Sequence, residues 1–274
     1  MDEGGGLNQQ LEPSLPTATD KPLRYLKDPN WGISQKVDGK RLLLRLEDGS
    51  TKGFNRNGDP SEVPKFLQSL AREYRHGGIV LLDGEVVGKR YYAFDVLCFK
   101  GEDVRHLDFL TRQNLLTWIV EKLPSTQVQH LKTSQSDKFE FFNFCQKNNA
   151  EGVVFNHLHS PYSSGRTKRQ IKYKFTHTID CIVLGSRFDD KDNLVLGLQG
   201  KDGIIECGRV SSLTGDGPRV KVGDVVEVTY LYATKGNRLY QPVRPKLRTD
   251  KSVNQCTLDQ LDTARPNLAI LKGD

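Results

Sequence analysis

The residues best equipped for chemistry lie in the run Gln35-Lys36-Val37-Asp38-Gly39-Lys40-Arg41. It joins an amine that can act as a nucleophile, a carboxylate two residues on, a glycine for a close turn and an arginine five residues after the lysine. A lysine amine must shed its proton before it attacks, and free lysine has a pKa of about 10.4. Nearby cations and partial burial lower that value, and a divalent ion can neutralise an anionic electrophile under attack. Arg41, Lys172 and Lys174 are the cationic candidates along the chain, and Glu85 and Glu151 are the acidic ones. Four fixed residues in six positions also describe a charged turn with a solvated lysine, so the run by itself leaves both readings open.

The elements that must position these groups follow an α+β pattern. Residues 1–21, rich in Gly, Gln, Pro and Thr and without periodicity, are expected to be a loose arm. Apolar runs over 42–46 and 79–82 and the aromatic-rich run 91–99 predict strands. Helices are expected over 63–75, 110–122 and 136–147, the second with Leu115, Leu116, Ile119 and Val120 on one face. Composition shifts near Thr176. Short strands over 181–184, 194–198, 204–209 and 225–232, broken by Gly-Asp and Asp-Gly turns, predict a small β-barrel of the OB type. The expected organisation is an arm (1–21), a first domain (22–175), the barrel (176–251) and a polar tail or short helix (252–274).

Bulk properties narrow the partners. The 274 residues suffice for one large domain or two modest ones, each with its own core. A net charge of +6 favours a polyanionic partner, because phosphates that bind lysine and arginine release condensed counterions. Five cysteines, odd in number and widely spaced, argue against a disulfide framework or a zinc site and suit a reducing compartment. No apolar run approaches a membrane span and the start is not that of a signal peptide, so an intracellular location without a membrane partner is expected.

Further segments follow the lysine run in order: Phe54-Asn55-Arg56-Asn57-Gly58, Leu82-Asp83-Gly84-Glu85, Tyr92-Ala93-Phe94-Asp95-Val96-Leu97, and Gly101-Glu102-Asp103 with Arg112. Then come Glu151-Gly152-Val153-Val154-Phe155, Ile171-Lys172-Tyr173-Lys174-Phe175 and Arg248-Thr249-Asp250-Lys251, the last preceded by Pro242 and Arg244. Strand alternation puts Lys172 and Lys174 on one face and the apolar residues on the other. Each segment alone has an ordinary explanation: a hairpin turn, a core strand, a solvated lysine pair. Together, from about Trp31 to Lys251, they resemble the covalent nucleotidyltransferases, and within them the ATP-dependent DNA ligases of small viral and bacterial type.

The resemblance implies a nucleotidyltransferase (ATP-grasp-like ligase) domain of antiparallel sheets with flanking helices, followed by the OB-fold barrel. It implies that Lys36 attacks the α-phosphate of ATP, that the adenylate passes to the 5′-phosphate of a nick, and that the 3′-hydroxyl displaces AMP. Asp38, Lys172 and Lys174 would share the catalysis with Lys36. Ser34, Arg41, Glu85 and Phe94 would hold the nucleoside, Ser34 by accepting from the adenine amino group. Arg248 and Lys251 would orient the leaving pyrophosphate, and Arg56 would grip the nick phosphate. Glu85 and Glu151 would bind Mg²⁺, with Mn²⁺ as a substitute, and the enzyme would close on nicked duplex DNA as a monomer. With no room before Lys21 for a large helical DNA-binding domain, the basic segment Arg209–Lys221 is expected to add DNA contact. Three alternatives stay open: an RNA ligase, a GTP-using mRNA capping enzyme, and an inactive module that binds single strands.

Overall fold

The computed structural model describes residues 11–74, 77–123, 125–189, 191–211 and 220–261. The chain divides into two compact units, with the division between Tyr173 and Lys174.

The first unit contains, in order, β1 (Ser14–Ala18), α1 (Leu23–Lys27), β2 (Trp31–Lys36), β3 (Lys40–Glu47), β4 (Ser50–Phe54), β5 (Pro60–Ser61), α2 (Leu70–Glu73) and β6 (Val80–Val87). There follow β7 (Arg90–Phe99), β8 (Glu102–Asp103), α3 (Phe109–Lys122), β9 (Val128–His130), α4 (Lys138–Lys147), β10 (Gly152–His157) and β11 (Gly165–Lys174). They build two sheets, one ordered β1-β11-β10-β2 and one ordered β5-β4-β3-β6-β7-β8 with β9 beside β7. Most described pairings are antiparallel, but β1 runs parallel to β11 and β9 parallel to β7, so the expected purely antiparallel layout is corrected at two edges.

Burial explains the strand sequences. Leu42, Leu44 and Leu46 of β3 join Leu67, Leu70, Leu82, Leu116 and Ile119 in one core, while Leu43 packs with Leu81, Leu97 and Cys98 on the opposite face. A strand covered on both faces reads as an unbroken apolar run rather than an alternating one. The β2–β3 turn needs its glycine: a Cβ on Gly39 would lie 2.4 Å from the Val86 carbonyl oxygen. In α3, Asp108 caps the first turn by accepting from the Thr111 amide at 2.7 Å. One turn on, Arg112 is buried and grips Asp95 through two hydrogen bonds of 2.8 and 2.9 Å, while its Nη1 donates to the Leu107 and Ser160 carbonyls. That use of donors makes Arg112 a brace joining β7, α3 and the chain after β10.

Two expectations fail here for physical reasons. The helix expected over 63–75 is a 3₁₀ turn at Lys65–Leu67 followed by the single-turn α2. Val63, Leu67, Leu70 and Ala71 are buried, but side chains displace the helical backbone bonds: Gln68 donates to the Val63 carbonyl and Thr51 accepts from the Ala71 amide. The arm, for its part, is not loose to its end. Residues 14–18 form β1, with Ser14 opposite Gly165 and Ala18 opposite Lys172. Partners about 150 positions away hold it: the Ser14 amide donates to the Tyr162 hydroxyl at 2.7 Å, and the Thr17 hydroxyl to the Thr167 carbonyl at 2.7 Å.

The second unit holds β12 (His177–Asp189), β13 (Lys191–Gly200), β14 (Gly203–Ser211), β15 (Val225–Tyr230), β16 (Tyr232–Ala233), β17 (Leu239–Tyr240) and β18 (Val243–Leu247). A sheet ordered β14-β13-β12-β15-β18 lies beside the β16–β17 pair. Its core includes Ile179, Cys181, Leu194, Leu196, Leu198, Cys207, Val226, Val228 and Tyr230. The strands outrun the apolar runs that announced them because their ends keep pairing where the side chains turn polar. Residues 252–261 belong to this unit instead of trailing from it. Two 3₁₀ turns bury Cys256, whose carbonyl accepts from the Gln199 amide at 2.7 Å. Most of the expected DNA-contacting segment, residues 212–219, and the remainder of the expected tail lie outside the described residues. All five cysteines are free and buried. Among the described residues, no helix is long and apolar enough to cross a membrane.

Candidate active site

The first unit holds an open cleft whose wall draws on both of its sheets. Every strand of the β1-β11-β10-β2 sheet contributes to its wall. Leu15 and Pro16 come from β1, Gln170 and Lys172 from β11, Val154 and Asn156 from β10, and Ser34 and Lys36 from β2. The other sheet contributes Arg41, Glu85 and Phe94, and Arg56 stands in the turn after β4. Recurrence at every second residue brings Ser34 with Lys36, and Gln170 with Lys172, onto a common face.

Lys36 ends β2 directly opposite Gly152, so its ammonium reaches Glu151, the residue before β10, and donates to the buried carboxylate. Arg41 is fixed by a two-pronged pair with Asp83, both bonds 2.6 Å, and its guanidinium lies 4.5 Å from the centre of the Phe94 ring. Burial works against the Arg41 charge, but the Asp83 carboxylate outweighs it and holds the guanidinium above its ordinary pKa. Asp83 also accepts from the Tyr162 hydroxyl at 2.9 Å. Burial pushes Glu85 up to about 7 against the pull of Lys36 and Arg41, and the neighbouring Glu151 and Asp38 carboxylates add to the rise. Phe94 is set from behind. Its carbonyl accepts from Gln113, whose Oε1 meets His130, an imidazole that burial lowers to about 4 and keeps neutral.

Residues 87–174 match the model of the ATP dependent DNA ligase domain. The chain is 25% identical to the multifunctional non-homologous end joining protein LigD of Pseudomonas aeruginosa, over 90% of this chain and 36% of that protein. It is 22% identical to DNA ligase 1 of Korarchaeum cryptofilum, over 66% of this chain and 39% of the relative. By domain model and by relatives, the chain is similar to ATP-dependent DNA ligases. Solved ligases share its mixed, sheet-rich α+β fold. A mycobacterial DNA ligase D complexed with ATP and MES superposes with a TM-score of 0.57 at 23% identity, over 90% of this chain and 98% of that one. A Lig E DNA ligase gives 0.64 at 18% identity, over 87% and 99%. The chain thus spans little more than a third of the curated relatives' length, and close to the whole of these two solved ligase chains.

Against the ligase pattern, the cleft gathers Ser34, Lys36, Arg41, Arg56, Glu85, Phe94 and Lys172, with Glu151 bound to Lys36. Asp38, half-buried in the β2–β3 turn, is not among the lining residues. Lys174 is not either; its ammonium donates to Gln241 Oε1 at 3.1 Å within the second unit. Arg248 and Lys251 also belong to that unit. Arg248 is held by Asp180, Glu227 and Asp250 at 2.8–3.2 Å, and Lys251 lies 3.8 Å from Asp180. Its hydrogen bond to Asp250 raises the Arg248 guanidinium and holds the Asp250 carboxyl well below the usual carboxylate range.

Residues that the ligase motifs did not single out complete the wall: Leu15, Pro16, Gln35, Leu131, Thr133, Asn156, Arg166 and Gln170. For Asn156 and Gln170 a signal was available, since each lies on a motif strand at even spacing from a named residue. Leu15 and Pro16 carried no such signal, because only a parallel pairing across most of the unit places them there.

Proposed function

We propose that this protein is an ATP-dependent DNA ligase that seals nicks with a 3′-hydroxyl and a 5′-phosphate in duplex DNA. The observation that carries the reading is the position of Lys36: an amine in an open cleft, hydrogen-bonded to Glu151 and sharing the cleft with Lys172, Arg56 and the Arg41–Phe94 pair. In step one the Lys36 amine forms a bond to the α-phosphorus of ATP. The bond to the bridging oxygen breaks, and pyrophosphate leaves with the electron pair. The Lys36 ammonium must first give up a proton to expose its lone pair, the Glu151 carboxylate being the acceptor already bonded to it, and a second proton leaves Nζ for solvent as the N–P bond forms. In step two a 5′-phosphate oxygen takes the adenylyl group from Lys36, and in step three the 3′-hydroxyl displaces AMP. Each step is a phosphoryl transfer between anions, so the protein's work is alignment and charge neutralisation.

In this reading Phe94 and Ser34 meet the base, and Glu85 a ribose hydroxyl. Lys172 neutralises the α-phosphate, and Arg56 at the cleft mouth receives the nick phosphate. Arg248, Lys251 and Lys174 orient the pyrophosphate, Asp38 acts at the turn beside Lys36, and we take the second unit by itself to be an OB-fold barrel. Among the described residues no group of three or more His, Cys, Asp and Glu is arranged to hold a metal. Two carboxylates, Glu85 and Glu151, interact closely enough for one to raise the other's pKa. That suits Mg²⁺, which binds through one or two carboxylates plus phosphate oxygens and water. When bound it would offset phosphate charge. We take the enzyme to act as a monomer inside the cell, without a membrane partner.

The test is sealing of a nicked duplex with ATP and Mg²⁺, the 3′-hydroxyl being supplied by either a DNA or an RNA strand. Sealing of the DNA nick, lost in Lys36→Ala, is expected. Sealing with the RNA strand alone would overturn the DNA assignment, and sealing by Lys36→Ala would overturn the role of Lys36.

A further inference from the structure

One polar side chain from each strand of the β1-β11-β10-β2 sheet forms a continuous ladder across the cleft face. The Ser14 hydroxyl donates to Gln170 Oε1 at 2.7 Å, and Gln170 Nε2 donates to Asn156 Oδ1 at 3.2 Å. Asn156 Nδ2 donates to the Ser34 hydroxyl at 3.2 Å, and that hydroxyl donates on to the Val154 carbonyl at 3.4 Å. The three bonds between these side chains point the same way, from β1 towards β2, and the Ser34 hydroxyl closes the run by turning back to β10. The far end is anchored as well. Asp83, as a carboxylate, can only accept; the Tyr162 hydroxyl therefore donates to it and accepts from the Ser14 amide. Ser14, Asn156 and Ser34 are each more than nine-tenths buried, too dry to tolerate a mispaired amide.

The direction of the ladder decides what the cleft can read. With its proton committed to Val154 and one lone pair taken by Asn156, Ser34 has a single lone pair left, and it lines the cleft as an acceptor. Asn156 lines the cleft beside it, and its Nδ2 carries a second proton besides the one on Ser34. An acceptor next to a donor complements the adenine edge, where the exocyclic amino group donates and the neighbouring ring nitrogen accepts. Guanine carries a carbonyl acceptor in place of that amino group.

We propose that Asn156, its amide orientation fixed by Gln170, is a base-specificity residue that reads an adenine ring nitrogen while Ser34 receives the amino group. The proposal rests on the nucleotidyltransferase reading and adds to it a recognition element outside the lysine run. Gln170 is a positioning residue, acting through the Asn156 amide. Reversing that amide would place its oxygen beside the Ser34 lone pair and present two acceptors to the base.

The test is covalent labelling of the full chain by ATP, GTP, 1-deaza-ATP and 7-deaza-ATP, each deaza analogue lacking one ring nitrogen. The wild-type chain should prefer ATP to GTP, and one of the two deaza analogues should label about tenfold less well than ATP, the loss of one hydrogen bond to the base. Asn156→Leu should erase the difference between that analogue and ATP. Asn156→Asp, which offers an acceptor in place of the donor, should lower the ATP-to-GTP preference by about 100-fold. Gln170→Leu should weaken discrimination part-way while ATP labelling persists. Equal labelling of the wild type by ATP and both deaza analogues would overturn the proposal even if every variant failed to fold. Unchanged discrimination in a folded Asn156→Leu would do the same. A wild-type chain labelled by no nucleotide would remove the nucleotidyltransferase reading itself, and this inference with it.

Discussion

The cleft of the first unit and the arginine cluster of the second treat positive charge in opposite ways. In the cleft, Lys36, Arg56, Arg166 and Lys172 line a cavity with one lining carboxylate, Glu85, and with Glu151 bonded to Lys36, and the half-buried Arg41 spends its charge on Asp83. In the second unit, Arg248 alone is surrounded by Asp180, Glu227 and Asp250, with Lys251 close to Asp180. One arrangement leaves a field for an incoming anion, whereas the other neutralises itself on the surface. A basic residue in a ligand-binding motif and one in an ion-pair cluster look alike in sequence. They differ in how many carboxylates the fold brings to each.

The strongest way to break this contrast is at Asp83. In Asp83→Asn, the half-buried Arg41 keeps a partner that can no longer offset its charge, and folding stability should fall by about 3 kcal/mol. Asp95→Asn, at the Arg112 brace, should cost a similar amount by the same reasoning. The two variants separate under conditions where both are folded. Asp83→Asn should also weaken nucleotide labelling, since Arg41 carries Phe94, and Asp95→Asn should spare it. Denaturant unfolding and labelling on the same samples check both points.

Arg248→Ala comes next. If the cluster only neutralises itself, the variant behaves as wild type. The proposed role in step one instead predicts that self-adenylylation slows by about 100-fold, in line with the loss of one charge-stabilising donor, while a pre-adenylated nick is sealed at the wild-type rate.

The Glu85 carboxyl gives a smaller, pH-dependent effect. Its folded pKa of about 7 lies above the ordinary 4.5, so between those values the folded protein holds a proton that the unfolded chain has released. This contribution to stability therefore falls as pH rises from 4.5 towards 7. Glu85→Gln should flatten that window and leave the protein more stable above neutrality by roughly 1–3 kcal/mol, trimmed by solvent at the cleft mouth. A wild type that loses more stability than the variant as pH is lowered from 7 to 4.5 would contradict the assignment. The smallest effect should come from Gly58→Ala. Gly58 has φ +85° and a Cβ there would lie 2.0 Å from the Leu11 carbonyl oxygen, so the variant should lose about 1–2 kcal/mol. Thermal unfolding checks it.

Much of the cleft was legible because its chemistry is local in sequence. Lys36 and Ser34, Gln170 and Lys172, and Val154 and Asn156 follow strand alternation. The strands themselves announced their positions through runs such as Leu42-Leu43-Leu44 and the aromatic stretch from Tyr91. What escaped was set by long-range partners. β1 carries a proline and little apolar periodicity, and it becomes a strand only through β11, Tyr162 and Thr167. The helix expected at 63–75 broke into two short turns because Gln68 and Thr51 competed for its backbone. Motif order suggested that Lys174 and Lys172 act together. Alternation does put them on one strand face, but Lys174 lies at the unit boundary, with its ammonium on Gln241.

The central claim is that Lys36 carries the nucleotide. The most direct measurement is the intact mass of the chain after incubation with ATP and Mg²⁺, with the modified residue located by peptide mapping under conditions that preserve the N–P bond. The account predicts a gain of one adenylyl group on Lys36, absent in Lys36→Ala and discharged when nicked DNA is added. An unmodified wild-type chain, or an adenylyl group on any other residue, would contradict it.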